Sequence, residues 1–249
     1  WLIPAFLIHA ALIIVEGLTH WYLVENVMIR DGTNTGLSNN PNLAAGFLVI
    51  GVVYLMASKR PLFQALSLPL VVALLFTGSR WGIIVPVAVI GVMALSGTIP
   101  WRVLGGGLLA LFITVVAVGL VGGGYQVAGY GSIAAALNPV VTDVGVRLAI
   151  PHLPSFLPHG VAEHPGLHNV PLRIAIENGL IAAGIWVGIT GWAIRPWVNG
   201  ETLHRWLLLT LVLLSVLDYY TWMGHLGGFW WLLIGLLTKN YRQDITHSR

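Results

Sequence analysis

The segment Leu167-His168-Asn169-Val170-Pro171-Leu172-Arg173-Ile174-Ala175-Ile176-Glu177-Asn178-Gly179-Leu180 carries the residue types best suited to chemistry in this sequence. An imidazole with an unperturbed pKa of about 6.5 can take a proton from a hydroxyl at neutral pH, which makes His168 a candidate base. Pro171 suits the first turn of a helix and Asn169 its N-cap, so His168 stands at the mouth of that helix. Glu177 lies further along the same helix, where an unpaired carboxylate is costly. A structural pairing with an arginine, or a hydrogen bond within a bundle, is expected of it.

Two arginines stand in comparable settings. Arg80 ends the run Thr77-Gly78-Ser79-Arg80, and Arg147 lies in Asp143-Val144-Gly145-Val146-Arg147-Leu148-Ala149-Ile150. A guanidinium keeps its charge and presents a planar fork of donors that matches phosphate oxygens. Each has a plainer alternative. Arg80 can snorkel to an interface, and Arg147 can pair with Asp143 at i,i+4 spacing. Gly78 is expected to let backbone approach a ligand closely, with Ser79 in support.

Other chemistries fit less well. His152, His159, His164 and His168 cluster, but Pro165 and Gly166 interrupt any helix that would present the last two on one face. No His-Glu-x-x-His pattern is present, so no metal site is expected. Gly78-Ser79-Arg80-Trp81-Gly82 lacks the Gly-x-Ser-x-Gly order of a serine nucleophile. There are no cysteines, which removes disulfides and thiolate chemistry.

The elements that must position these residues follow from composition. The 249 residues are 57% hydrophobic and 8% charged. Soluble domains carry about 25% charged residues. A net charge of +3 gives no basis for a nucleic-acid partner. An all-α, polytopic transmembrane bundle is expected, one membrane domain over 1–249. Apolar runs fall at roughly 1–17, 43–58, 62–79, 81–99, 102–121, 171–194, 204–222 and 224–238, about eight candidate spans read as free of charge. Several, the second and the last above all, are short of the roughly 17–25 residues a helical span needs. The chain opens on Trp1 inside such a run, without a signal-peptide pattern, so a fragment preceded by further spans is expected. Gly184-x-x-x-Gly188 predicts close helix packing.

If the connections alternate sides, Lys59, Arg60, Arg102, Arg195, Arg205, Lys239, Arg242 and Arg249 share one side, eight of the 12 basic residues. That side is cytoplasmic by the positive-inside rule. The connections 18–42 and 122–170 then face outward, the second as a long extracytoplasmic loop, together with Arg80, Arg147 and His168. Asp218-Tyr219-Tyr220 ends a span on that face, where Asp218 can pair with an arginine of the site. Trp222, Trp230 and Trp231 read as an aromatic belt.

In their order, Asn40-Pro41-Asn42, Thr77-Gly78-Ser79-Arg80, Arg147, Pro158-His159-Gly160, His168-Asn169, Glu177-x-Gly179-Leu180 and Asp218-Tyr219 resemble the O-antigen ligase and O-antigen polymerase superfamily of bacterial envelope glycosyltransferases. The likeness runs from about residue 34 to the end. It implies a GT-C-like, metal-independent enzyme of the cytoplasmic (inner) membrane, active on its periplasmic face and needing no cofactor. Such an enzyme moves a glycan from an undecaprenyl-diphosphate carrier to a lipid, glycan or protein hydroxyl. By position, Arg80 and Arg147 would hold the diphosphate and His168 would act as base, with Asn169, Glu177, Ser79 and Asp218 in support. Direct displacement with inversion is expected. The acceptor distinguishes ligase, polymerase and protein O-oligosaccharyltransferase. A transporter of a lipid-linked anion would use the same arginines without chemistry.

Overall fold

The computed structural model describes residues 2–19, 34–38, 40–58, 60–109, 170–194, 202–217 and 232, and among them every regular element is a helix. The chain divides into two compact units, Trp1–Asn138 and Pro139–Arg249. The described helices of the first are α1 (Leu2–Thr19), α2 (Pro41–Met56), α3 (Pro61–Ala65), α4 (Ser67–Thr77), α5 (Arg80–Leu95) and α6 (101–109). Those of the second are α7 (Val170–Ile194) and α8 (Thr202–Leu217).

Two helical stretches, Leu2–Thr19 and Arg173–Trp192, are long and apolar enough to cross a membrane. Pro41–Met56, Pro61–Thr77, Trp81–Leu95 and Arg205–Val216 are apolar but shorter. The apolar run at 224–238 lies outside the described residues, apart from Leu232.

The second run, among the shortest in sequence, forms the centre of the first unit. Twelve of the 16 residues of α2 are buried, and α1, α4 and α5 all pack on it. Asn40 starts this helix, with Pro41 in the first turn. Its Oδ1 accepts from the N–H of Asn42 at 2.8 Å and of Leu43 at 3.3 Å. Glycines let the neighbours come close. A Cβ on Gly51 would sit 2.6 Å from Leu70 Cδ2 and 2.8 Å from Phe6 Cγ, so side chains of both α4 and α1 would have to shift. Gly51→Val is therefore expected to destabilise the unit by about 1–3 kcal/mol, the usual cost of overpacking, read as a lower unfolding midpoint in detergent.

The 62–79 run is not one uninterrupted helix. It divides at Leu66 into α3 and α4, because Pro69 has no N–H to give to the carbonyl four residues earlier. Gln64 Nε2 donates to the Ser58 carbonyl at 2.9 Å and, more weakly, to that of Met56 at 3.4 Å. These bonds satisfy the end of α2. Thr77 ends α4, and Arg80 is the first residue of α5.

The buried side of α1 is unusual. Phe6, His9, Ala10, Ile13, Glu16 and Gly17 line it at helical spacing, while Leu2, Ile8, Val15 and Leu18 stand exposed. A water-facing helix shows the opposite arrangement, with its polar stripe outward. The 1–17 run, read as charge-free, thus contains a carboxylate that the fold turns inward.

In the second unit, α7 is interrupted at Gly179, where φ is 87° and ψ 164°. That backbone region is open in practice only to glycine. The 171–194 run is therefore two helical pieces: the first buries Val170, Ile174, Ala175 and Ile176, and the second exposes Ile181, Ile185, Val187 and Trp192. A Cβ on Gly184 or Gly188 would meet nothing within 4 Å. The close packing expected of that pair is absent among the described residues, since both glycines fall in the exposed piece. In α8, Thr210 Oγ1 donates to the Trp206 carbonyl at 2.7 Å. That bond lets a hydroxyl sit within an apolar helix.

Candidate functional site at one end of the first unit

The turn Thr77-Gly78-Ser79-Arg80 is built by three local devices. Thr77 Oγ1 donates to the Leu74 carbonyl at 2.7 Å and accepts from Ser79 N–H at 3.2 Å. Gly78 takes a left-handed conformation, with φ 68°. Such a residue commonly ends a helix, so backbone geometry is enough to account for a glycine here. Ser79 is the N-cap of α5, its Oγ accepting from Gly82 N–H at 3.3 Å. A serine in that position satisfies a donor the helix start leaves open. Arg80 enters at the first position of a helix, the end whose backbone dipole favours anions.

A second segment meets this turn. The N–H and the Nδ2 of Asn34 both donate to the Phe76 carbonyl, at 3.2 and 2.8 Å. Phe76 O is one of the terminal carbonyls that a helix leaves without an internal partner. The segment Asn34–Ser38 closes on itself through Ser38 N–H and the Thr35 carbonyl at 2.9 Å, with Gly36 at φ 56°. Beneath it lies Glu16, whose Oε2 accepts from the N–H groups of Thr35 at 3.0 Å and Gly36 at 2.8 Å. His9, two turns earlier on the same face of α1, holds its ring edge-on to Phe47 at 5.3 Å. Leu37 N–H points toward His9 Nδ1 at the long distance of 3.5 Å. The C-terminal ends of α1 and α4 and the N-terminal ends of α2 and α5 therefore gather at one end of this unit.

Glu16 and Thr35 are each 1% exposed, and among the described residues Glu16 Oε1 and Thr35 Oγ1 have no hydrogen-bond partner. Sequence reasoning misses Glu16 and His9. The available signal is an acid inside an apolar run, seven residues from a histidine and so on the same helix face.

The second unit holds Glu177. Its Oε1 accepts from Arg173 Nε at 2.8 Å. The bond spans one helical turn and is the arginine pairing expected of this carboxylate. The pair lies just before the break at Gly179. Gly179→Ala is expected to cost about 1–3 kcal/mol through backbone strain, measurable as a lower melting temperature.

Ser79, the Arg80 backbone and Glu177 are thus placed, the first two together and Glu177 in the other unit. Arg147, His168, Asn169 and Asp218 lie outside the described residues, as do His152, His159 and His164. Among the described residues no three His, Asp or Glu side chains group as metal ligands. The sequence matches no protein-family model, and no curated protein or solved structure matches it.

Proposed function

We propose that this chain is a glycosyltransferase of the O-antigen ligase and polymerase type. It would move a glycan from an undecaprenyl-diphosphate carrier to an acceptor hydroxyl on the outer face of the cytoplasmic membrane. The protein is then a polytopic helical bundle of about eight spans, and its helices carry apolar residues outward because lipid surrounds them. The inverted side of α1 supports this, with Glu16 buried and Leu18 62% exposed. In water, a buried acid beside an exposed apolar stripe is the unusual arrangement.

The observation that carries the reading is the Thr77–Arg80 turn. A left-handed glycine and a serine cap fix an arginine at a helix N-terminus, at the end of the unit where four helix ends meet. A lipid diphosphate brings negative charge that a guanidinium and a helix N-terminus both favour. As the glycosyl bond breaks, charge grows on the leaving diphosphate, and Arg80 and Arg147 would stabilise it in the transition state. His168 would take the acceptor proton, and gathering donor and acceptor in one site would add through proximity. The bond formed is acceptor oxygen to anomeric carbon; the bond broken is anomeric carbon to diphosphate oxygen.

The test supplies membranes containing the full protein with labelled undecaprenyl-diphosphate glycan and offers lipid, glycan and protein hydroxyl acceptors in turn. Label should pass to one acceptor class with inverted anomeric configuration. Retained configuration would overturn the displacement, and absence of transfer to all three would overturn the reading.

A further inference from the structure

We propose that Glu16 is a positioning residue that holds the Thr77–Arg80 turn in place through the Asn34–Ser38 segment. The consequence for the donor rests on the glycosyltransferase reading; the mechanical part does not. A buried carboxylate is retained only where its hydrogen bonds repay desolvation. Here Oε2 gathers two consecutive backbone N–H groups, those of Thr35 and Gly36. The neighbouring Asn34 then spends two donors on Phe76 O, the residue just before the turn. Gly17 makes a second, direct connection: a Cβ there would overlap the Phe76 ring. Successive residues of α1 thus grip the segment and the end of α4, leaving the turn little freedom.

The absence of cysteine from the chain makes single-cysteine labelling clean. Ser38→Cys reports on the segment and Ser79→Cys on the turn, where the native serines are 7% and 3% exposed. Ser67→Cys, at the opposite end of α4 from the turn and 6% exposed in the native serine, reports on the general integrity of the unit. In the full chain in membranes, Glu16→Leu is expected to speed maleimide labelling at both reporters by about tenfold or more, the factor one lost charge-assisted hydrogen bond gives in an opening equilibrium. Labelling at Ser67→Cys should not change. Glu16→Gln keeps an acceptor oxygen for the two N–H groups and should restore most of the protection. With labelled donor, Glu16→Leu should raise KM for the lipid diphosphate more than it lowers kcat.

Unaltered labelling of Ser79→Cys in Glu16→Leu would overturn the proposal. So would faster labelling at all three reporters, which would mean general loosening. Failure of Glu16→Gln to protect would also count against it. If the unsubstituted protein transfers no glycan, the enzymatic reading falls while the labelling still decides the role of Glu16.

Discussion

Replacing His168 by alanine should lower glycan transfer by about 10²–10⁴-fold, the usual contribution of a positioned general base. An acceptor hydroxyl is a poor nucleophile until its proton is leaving, and an imidazole that is mostly neutral at pH 7 is suited to take it. Diphosphate binding depends on cationic groups, so donor affinity should stay close to that of the unsubstituted protein. The measurement pairs transfer of labelled glycan with equilibrium binding of the same donor. Lost transfer with retained binding supports the assignment. Unchanged product formation removes His168 as the base, and movement of donor across the membrane without transfer favours a transporter.

What the sequence discloses, and what it hides, follows from how local each feature is. Asn40-Pro41 and Ser79 act on backbone groups within three residues, so capping residues can be read directly from their neighbours. The Arg173–Glu177 pair is equally local, one helical turn. Gly78 and Gly179 stand out as motif members, but their work is backbone geometry: each holds a positive φ, one ending α4 and one interrupting α7. The division at Leu66 is legible in Pro69 but masked by the even hydropathy around it. Glu16 is hidden for a different reason. Its value depends on Thr35 and Gly36, about 20 positions away, and averaged hydropathy hides a single acid among leucines and isoleucines. The same averaging undervalues α2, whose small residues matter because three helices close on it. Gly184 and Gly188 are the opposite case: their spacing permits close packing, and no described helix closes on them.

Changing Arg80 to lysine should weaken donor binding by about tenfold or more, and changing it to alanine should lower kcat by about 10²–10³-fold. The first substitution is the sharper. Lysine keeps the positive charge and nearly the same helix propensity, so α5 should begin as before and stability should hold. What it loses is the planar pair of N–H donors that can engage two phosphate oxygens at once. The backbone at this position is already fixed by Gly78 and the Ser79 cap, so no rearrangement of the turn is needed to explain a loss. An interfacial arginine serving only to reach the lipid headgroups would exchange for lysine freely, because both snorkel. Donor affinity and transfer rate, measured on Arg80→Lys with unfolding followed in parallel, separate these roles. Full affinity with full rate assigns position 80 to the interface and removes the diphosphate from this turn.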